Sequence, residues 1–216
     1  MSNIVESFSK IKLNINKLQK KQEVNIVAIS KTFPIQHIKP LIDHGHNHFG
    51  ENKVQEALSK WSEVKKNNSK IHLHMVGKLQ SNKARDAAKI FDYIHSLDSQ
   101  KLADILSNCE KNNNKMLKYF IQVNLGNETQ KSGLPVNEVE PFFNYCTKEK
   151  KLNVIGLMII PPNDANTINY FKNINQLNSS IGLKDLSMGM SADYEQAINY
   201  GATFVRLGSV IFGKRS

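Results

Sequence analysis

Apolar positions at the start of the chain recur at helical spacing. Ile4, Phe8, Ile11, Ile15 and Leu18 stand four or three residues apart and draw one apolar stripe, which predicts an opening helix within residues 1–21. From Val24 onward the rhythm changes, and short apolar runs of strand length alternate with longer stretches of helical period. The strand-like runs lie at 24–30, 47–50, 71–76, 91–96, 117–124, 153–159, 184–187 and 203–207. Helical patterns lie between them at 35–44, 52–66, 83–90, 100–111, 136–150, 165–181 and 192–200. The clearest is 52–66, where Val54, Ala57, Leu58, Trp61 and Val64 share one face.

Strands separated by helices imply parallel pairing, because each crossover lays a helix on the sheet face. The count of eight predicts an α/β fold, a single (β/α)8 TIM-type barrel with an additional N-terminal helix; an open doubly wound sheet is the alternative. Only Ile211 to Ser216 follow the eighth strand, too few for a full closing helix, so the opening helix is expected to cover that gap. The length suffices for one substantial core, and no linker, low-complexity segment or internal repeat divides it. Residues 1–216 are therefore expected to form one domain, with 1–21 packing on the barrel.

Composition changes this picture little. Lys and Arg number 29 against 19 Asp and Glu, a formal net charge of +10. The basic residues are scattered without aromatic interleaving or a nucleic-acid motif, so they read as solvated faces and no nucleic-acid partner is expected. No basic segment followed by an apolar block opens the chain, and the longest apolar run, 154–160, stops at Pro161-Pro162, so no secretory leader or membrane span is expected. Cys109 and Cys146 fall in separate helical segments and read as two buried thiols of a cytoplasmic protein.

In barrels of this kind, chemistry sits at the carboxyl ends of the strands, and phosphate groups often sit after the seventh and eighth. The unusual polar residues fall at those ends. Lys31 ends the first strand, where a partly buried amine becomes nucleophilic toward an aldehyde. Glu51-Asn52 follow the second strand, His74 lies late in the third and is expected to line the pocket, and Asn124 ends the fifth. Gly189 would let backbone approach an anion, Ser191 is placed to cap the helix at 192–200, and Gly208-Ser209 offer a second pair of donors. Asp193 and Glu195, in the first turn of that helix, would have to point away from an anion. Arg206 shares a strand face with Phe204 and is expected to point into the barrel, toward either a neutral ring nitrogen or a carboxylate such as Glu51. His44, His46, His48, His72 and His74 lack Cys or carboxylate support for a metal site. A lysine amine with small backbone donors suits a phosphorylated aldehyde such as pyridoxal phosphate; an aldolase-type Schiff base with a phosphosugar fits the same lysine.

Longer motifs narrow the choice. Ala28-Ile29-Ser30-Lys31-Thr32, the run from His48 to Glu56, and Gly77-Lys78-Leu79-Gln80-Ser81-Asn82-Lys83 come in this order. Lys131-Ser132-Gly133, Gly156-Leu157-Met158, the run from Leu186 to Ser191, and the run from Val205 to Gly213 follow. Together they resemble the pyridoxal phosphate homeostasis proteins over nearly the whole chain. The resemblance implies a barrel like the N-terminal domain of alanine racemase, holding pyridoxal 5'-phosphate as a Schiff base on Lys31. It implies phosphate contacts from Ser187, Met188, Gly189 and Ser191 and from Gly208 and Ser209, with Arg206 at the ring nitrogen. Asn52 and His74 complete the expected cofactor-binding set, and no catalytic or metal residue is expected. The implied role is to bind, buffer and supply the cofactor, with PLP-requiring apoenzymes as partners, without established turnover, as a monomer or weak dimer. The alternative is an active PLP-dependent enzyme of the racemase kind. Two physical points favour a carrier: arginine only donates and so favours an unprotonated ring nitrogen, and a second acid or base would have to come from a further domain that this chain is not expected to have. Lys53 and Leu73 stand where the family commonly has a tyrosine and an aromatic, and residues 160–162 vary locally.

Overall fold

The computed structural model describes residues 3–18, 22–126, 132–162, 164 and 166–213. Eight parallel strands close into a barrel in sequence order, with β1 paired to both β2 and β8. They are β1 (Asn25–Ile29), β2 (His48–Glu51), β3 (His72–Met75), β4 (Tyr93–Leu97), β5 (Lys118–Gln122), β6 (Asn153–Met158), β7 (Asp185–Met190) and β8 (Phe204–Leu207). The helices are α1 (Asn3–Leu18), α2 (Ile35–Asp43), α3 (Val54–Asn67), α4 (Ala84–Ile90), α5 (Gln100–Asn113), α6 (Val136–Asn144), α7 (Thr167–Ser180), α8 (Tyr194–Asn199) and α9 (Ser209–Phe212). A 3-10 turn at Ser81–Lys83 leads into α4, and a π-helical turn at Tyr145–Glu149 prolongs α6. The expected extensions of α1 to residues 19–21 and of α7 to Ala165, together with Lys131 of the family motif, lie outside the described residues.

Strand parity sorts the side chains into two environments. Ala28, Phe49, Leu73, Met75, Ile94, Tyr119, Ile121, Leu157, Leu186, Val205 and Leu207 face outward and pack with the helices in one large apolar layer. Trp61 of α3 is wholly buried there, its ring 4.9 Å from that of Phe49. Inside the barrel a smaller apolar set of Val27, Ile29, Tyr93, Phe120, Met158 and Phe204 shares the space with buried polar groups. Gly50 also faces inward, where an added Cβ would stand 2.5 Å from Ile29 Cδ1.

The gap after β8 is closed as the pattern predicts. α9 is a single turn, and α1 lies against α2, α8 and α9 with Val5, Phe8, Ile11 and Ile15 buried. Asn14 Nδ2 ties α1 to α8 by donating to Tyr194 Oη at 3.0 Å and Glu195 Oε1 at 2.5 Å. Local chemistry sets helix ends elsewhere: Ser99 Oγ accepts from Leu102 N to start α5, and Asn114 in the left-handed region (φ 47°) ends it. Among the described residues no helix is long and apolar enough to cross a membrane.

Candidate functional site

A pocket of about 370 Å³ opens at the carboxyl ends of β1, β7 and β8. Lys31, Ser191, Arg206, Gly208 and Ser209 line it, as do Ile29, Val76, Ile160, Met190 and Ala192, which the sequence reading did not single out. Alternation along β1 carried the signal for Ile29, which shares the inward face with Val27.

Lys31 stands on a turn held from behind. Ser30 is fully buried, its hydroxyl donates to Glu51 Oε1 at 2.7 Å, and its carbonyl accepts from Lys60 Nζ at 2.9 Å. Lys60 also pairs with Glu51 at 3.0 Å and with Glu56 at 2.9 Å, and Trp61 Nε1 donates to Glu51 at 2.9 Å. Glu56 Oε1 accepts from Thr32 N at 2.6 Å, fixing Thr32 in the left-handed region at φ 70°. Burial raises the pKa of Glu51 against these hydrogen bonds and the Lys60 charge. Glu51 is therefore no partner for Arg206. It shares the outward face of β2 with Phe49, a parity readable in the sequence.

Arg206 points inward with Phe204, as expected from β8. It is 5% exposed, and its guanidinium donates to Ser187 Oγ at 2.7 Å and Ile159 O at 2.8 Å. Desolvation lowers its pKa to about 10, opposed by the Asp193 charge, so it stays a cation at neutral pH. Ser187 Oγ lies 2.8 Å from His95 Nδ1, His95 Nε2 lies 2.9 Å from His74 Nδ1, and His74 Nε2 lies 2.9 Å from His48 Nδ1. His95 is a residue the sequence reading missed.

Several expected site residues are placed differently. His74 does not line the pocket but lies fully buried within the barrel, stacked on Tyr93 at 4.2 Å. Ser187 sits beneath the pocket and reaches it through Arg206. Met188 faces outward into the helix layer. Gly189 is required by packing, since at φ 89° an added Cβ would lie 2.6 Å from Ala197 Cβ. Asn52 lines a separate depression with Lys53, Lys78 and Lys83. Ser191 is not the cap of α8, which begins at Tyr194. β7 runs on to Met190, whose N–H donates to Asp193 Oδ1 at 2.6 Å in the intervening turn. The Ser191 hydroxyl instead accepts from Gly208 N at 3.3 Å and joins the two loops. The carboxylates of Asp193 and Glu195 are thus engaged with Met190 and Asn14.

The pocket therefore combines two cationic side chains with small residues on neighbouring loops and an apolar wall. Comparisons with known proteins place the chain in a family. The family described as "Alanine racemase, N-terminal domain" matches residues 7–216. A pyridoxal phosphate homeostasis protein of Aquifex aeolicus is 36% identical over 199 residues, covering 88% of this chain and 86% of that protein. One of Escherichia coli (strain K12) is 35% identical over 203 residues, covering 90% and 87%. The solved structure of PipY from Synechococcus elongatus with PLP bound superposes with a TM-score of 0.88 at 32% identity, covering 98% of this chain and all of that one. An alanine racemase of Clostridium difficile, 14% identical, shares the fold with a TM-score of 0.74, and the match takes in all of this chain but 57% of that one. By sequence and by fold, the chain belongs to the pyridoxal phosphate homeostasis protein family, built on the alanine racemase N-terminal barrel.

Proposed function

We propose that this chain binds pyridoxal phosphate in the Lys31 pocket and serves to hold and supply it rather than to turn over substrates. The observation that carries this reading is the convergence of Lys31, the buried Arg206 guanidinium and the Ser191 and Gly208-Ser209 loops on one pocket. The group fits. Its phosphate suits the loop donors beside two cations, and its ring nitrogen suits a guanidinium that no carboxylate pairs with among the described residues. Bound there, pyridoxal phosphate supplies an electrophilic aldehyde carbon and a ring that can withdraw electrons.

Lys31 Nζ would add to the aldehyde carbon as a Schiff base with loss of one water, and its turn, braced by Lys60 and Glu56, fixes the amine. Arg206 has donors only, so it holds the ring nitrogen unprotonated and weakens electron withdrawal. Ile29, Val76, Ile160 and Met190 supply the apolar wall. Among the described residues lining the pocket, Lys31 is the one amine and none is a carboxylate, histidine, cysteine or tyrosine, so the wall offers no second acid or base for racemisation.

Borohydride reduction followed by peptide mapping tests the assignment. Reduction should fix the cofactor on Lys31, and Lys31→Ala should abolish the reducible chromophore while leaving the fold intact, since no core cavity is made. Trapping at another lysine overturns it. Loaded protein incubated with single amino-acid enantiomers should show negligible racemisation, whereas multiple turnovers per bound cofactor would make it an enzyme.

A further inference from the structure

Inside the barrel a file of polar side chains crosses from the pocket to the opposite mouth. It begins at Arg206 and passes through Ser187, His95 and His74 to His48, each link between 2.7 and 2.9 Å. Ser187, His74 and His95 are fully buried, and His48 is half-buried at the amino-terminal end of β2. Aromatic neighbours hold the rings: His74 stacks on Tyr93 and His95 on Phe120, at 4.2 and 4.4 Å.

The direction of every proton in this file follows from its first member. Arginine can only donate, so Ser187 Oγ accepts from Arg206. The buried hydroxyl hydrogen of Ser187 then has His95 Nδ1 as its acceptor. His95 must accept at Nδ1 and carry its proton on Nε2, which it donates to His74 Nδ1. His74 likewise donates from Nε2 to His48 Nδ1. The reverse polarity would leave the Ser187 hydrogen without an acceptor and aim the N–H ends of the rings at the guanidinium. A doubly protonated histidine would break the file, because both its nitrogens donate. Burial disfavours that form throughout, holding His48 to a pKa of about 4 and His74 and His95 well below the usual value.

We propose that Ser187, His95, His74 and His48 form a one-way hydrogen-bond relay of neutral Nε2–H histidines that positions the Arg206 guanidinium at the pocket. The relay takes the place of a carboxylate: it offers the buried cation the acceptor end of a chain of aligned dipoles without neutralising its charge. The arginine is thereby oriented for a neutral ring nitrogen and remains a full positive charge beside an anionic ligand. Its positioning role rests on the reading of Arg206 as the partner of the pyridoxal phosphate ring. Ser187, His95 and His74 act through Arg206 and touch no ligand themselves.

Side-chain ¹⁵N NMR of the ligand-free protein tests the relay directly. At neutral pH, His48, His74 and His95 should all report the neutral Nε2–H tautomer, and the Arg206 guanidinium protons should be slow to exchange. Ser187→Ala should speed that exchange, and Ser187→Thr, which keeps the hydroxyl, should restore it. In protein loaded with ring-¹⁵N pyridoxal phosphate, Ser187→Ala should move the ring-nitrogen signal toward its value in Arg206→Gln. It should also weaken binding by about tenfold, with borohydride still trapping Lys31. An Nδ1–H tautomer at any of the three histidines overturns the relay. So does a Ser187→Ala protein with unchanged ring-nitrogen and guanidinium signals while Arg206→Gln moves the former. If Arg206→Gln moves nothing although Lys31 is trapped, the reading of Arg206 falls and its positioning by the relay falls with it.

Discussion

The two sides of the pocket are held by opposite kinds of chemistry. On the β1–β2 side the turn carrying Lys31 is braced by charge: Glu51, Lys60 and Glu56 meet at 2.9–3.0 Å, with Lys60 and Glu51 8% and 0% exposed at the side chain. On the β7–β8 side Arg206 is braced by neutral groups, namely a serine hydroxyl, a backbone carbonyl and a file of histidines. The charged side fixes backbone, because its ions bind Ser30 O and Thr32 N. The neutral side fixes a charge, and leaves it without a carboxylate in direct contact among the described residues. The ion cluster beneath Lys31 turns its charges on one another and on the backbone of the turn. A carboxylate beneath Arg206 would cancel the field that an anionic cofactor uses.

The largest expected effect comes from breaking the charged side. Lys60→Met should destabilise the protein by about 3–5 kcal/mol, because it strands Glu51 in a buried position without its cation. It should also release the Ser30 carbonyl and slow the trapping of pyridoxal phosphate at Lys31. Urea unfolding at pH 7 reads the first effect and borohydride trapping rates read the second. An unchanged unfolding midpoint would show that the cluster does not brace the turn.

Much of this contrast was hidden from the sequence for physical reasons. The barrel itself was legible, since apolar runs alternating with helical stretches call for parallel pairing and a count of eight favours closure over an open sheet. Strand parity also turned Arg206 inward correctly. The same parity applied to β2 would have turned Glu51 outward with Phe49. His74 was read as lining the pocket because position along a strand says nothing about depth within a barrel, and its partners His48 and His95 lie 26 and 21 residues away. Lys60 was invisible for a similar reason: its bond to Ser30 O spans 30 residues, and its i, i+4 spacing from Glu56 resembles an ordinary surface pair. Ser191 was misread as a cap because a serine before a helical pattern is the usual cap signal. The turn built on Asp193 delays α8 to Tyr194 and leaves that hydroxyl to bind the neighbouring loop.

Acid should stress the buried histidines and the charged side in opposite directions. His46 and His48 are held neutral with pKa values of about 4, against 6.5 when unfolded. Between those values the unfolded chain binds more protons than the folded one. The stability these histidines contribute is therefore complete above pH 6.5 and is lost as pH falls toward 4. From pH 7 to pH 5 the loss is roughly 2 kcal/mol for each of the two. Glu51 works the other way: its pKa is raised, so the folded state takes up a proton first, and that contribution is present at low pH and fades as pH rises. Asp98 and Glu110 are raised in the same way, but unfolding free energies at pH 7, 6 and 5 should still fall steadily, because His46, His48, His74 and His95 together outweigh these three carboxyls. A flat profile would mean that His46 and His48 are already charged or open to water in the folded protein.

The smallest expected effect sharpens the neutral side. Ser191→Ala removes the acceptor for Gly208 N, a bond of 3.3 Å at the rim of the pocket. Its length and partial exposure keep it within the ordinary range for a neutral hydrogen bond, about 0.5–1.5 kcal/mol. Pyridoxal phosphate affinity, read by competition, should drop roughly two- to tenfold, with little change in the unfolding midpoint. The loss stays small because the Gly208 amide freed by the substitution remains a donor and can turn toward the ligand. A drop of a hundredfold or more would mean that Ser191 binds the ligand through its own hydroxyl rather than by joining two loops. The β7–β8 side would then be ordered by its occupant, while the Lys31 side stands ordered by its own ions.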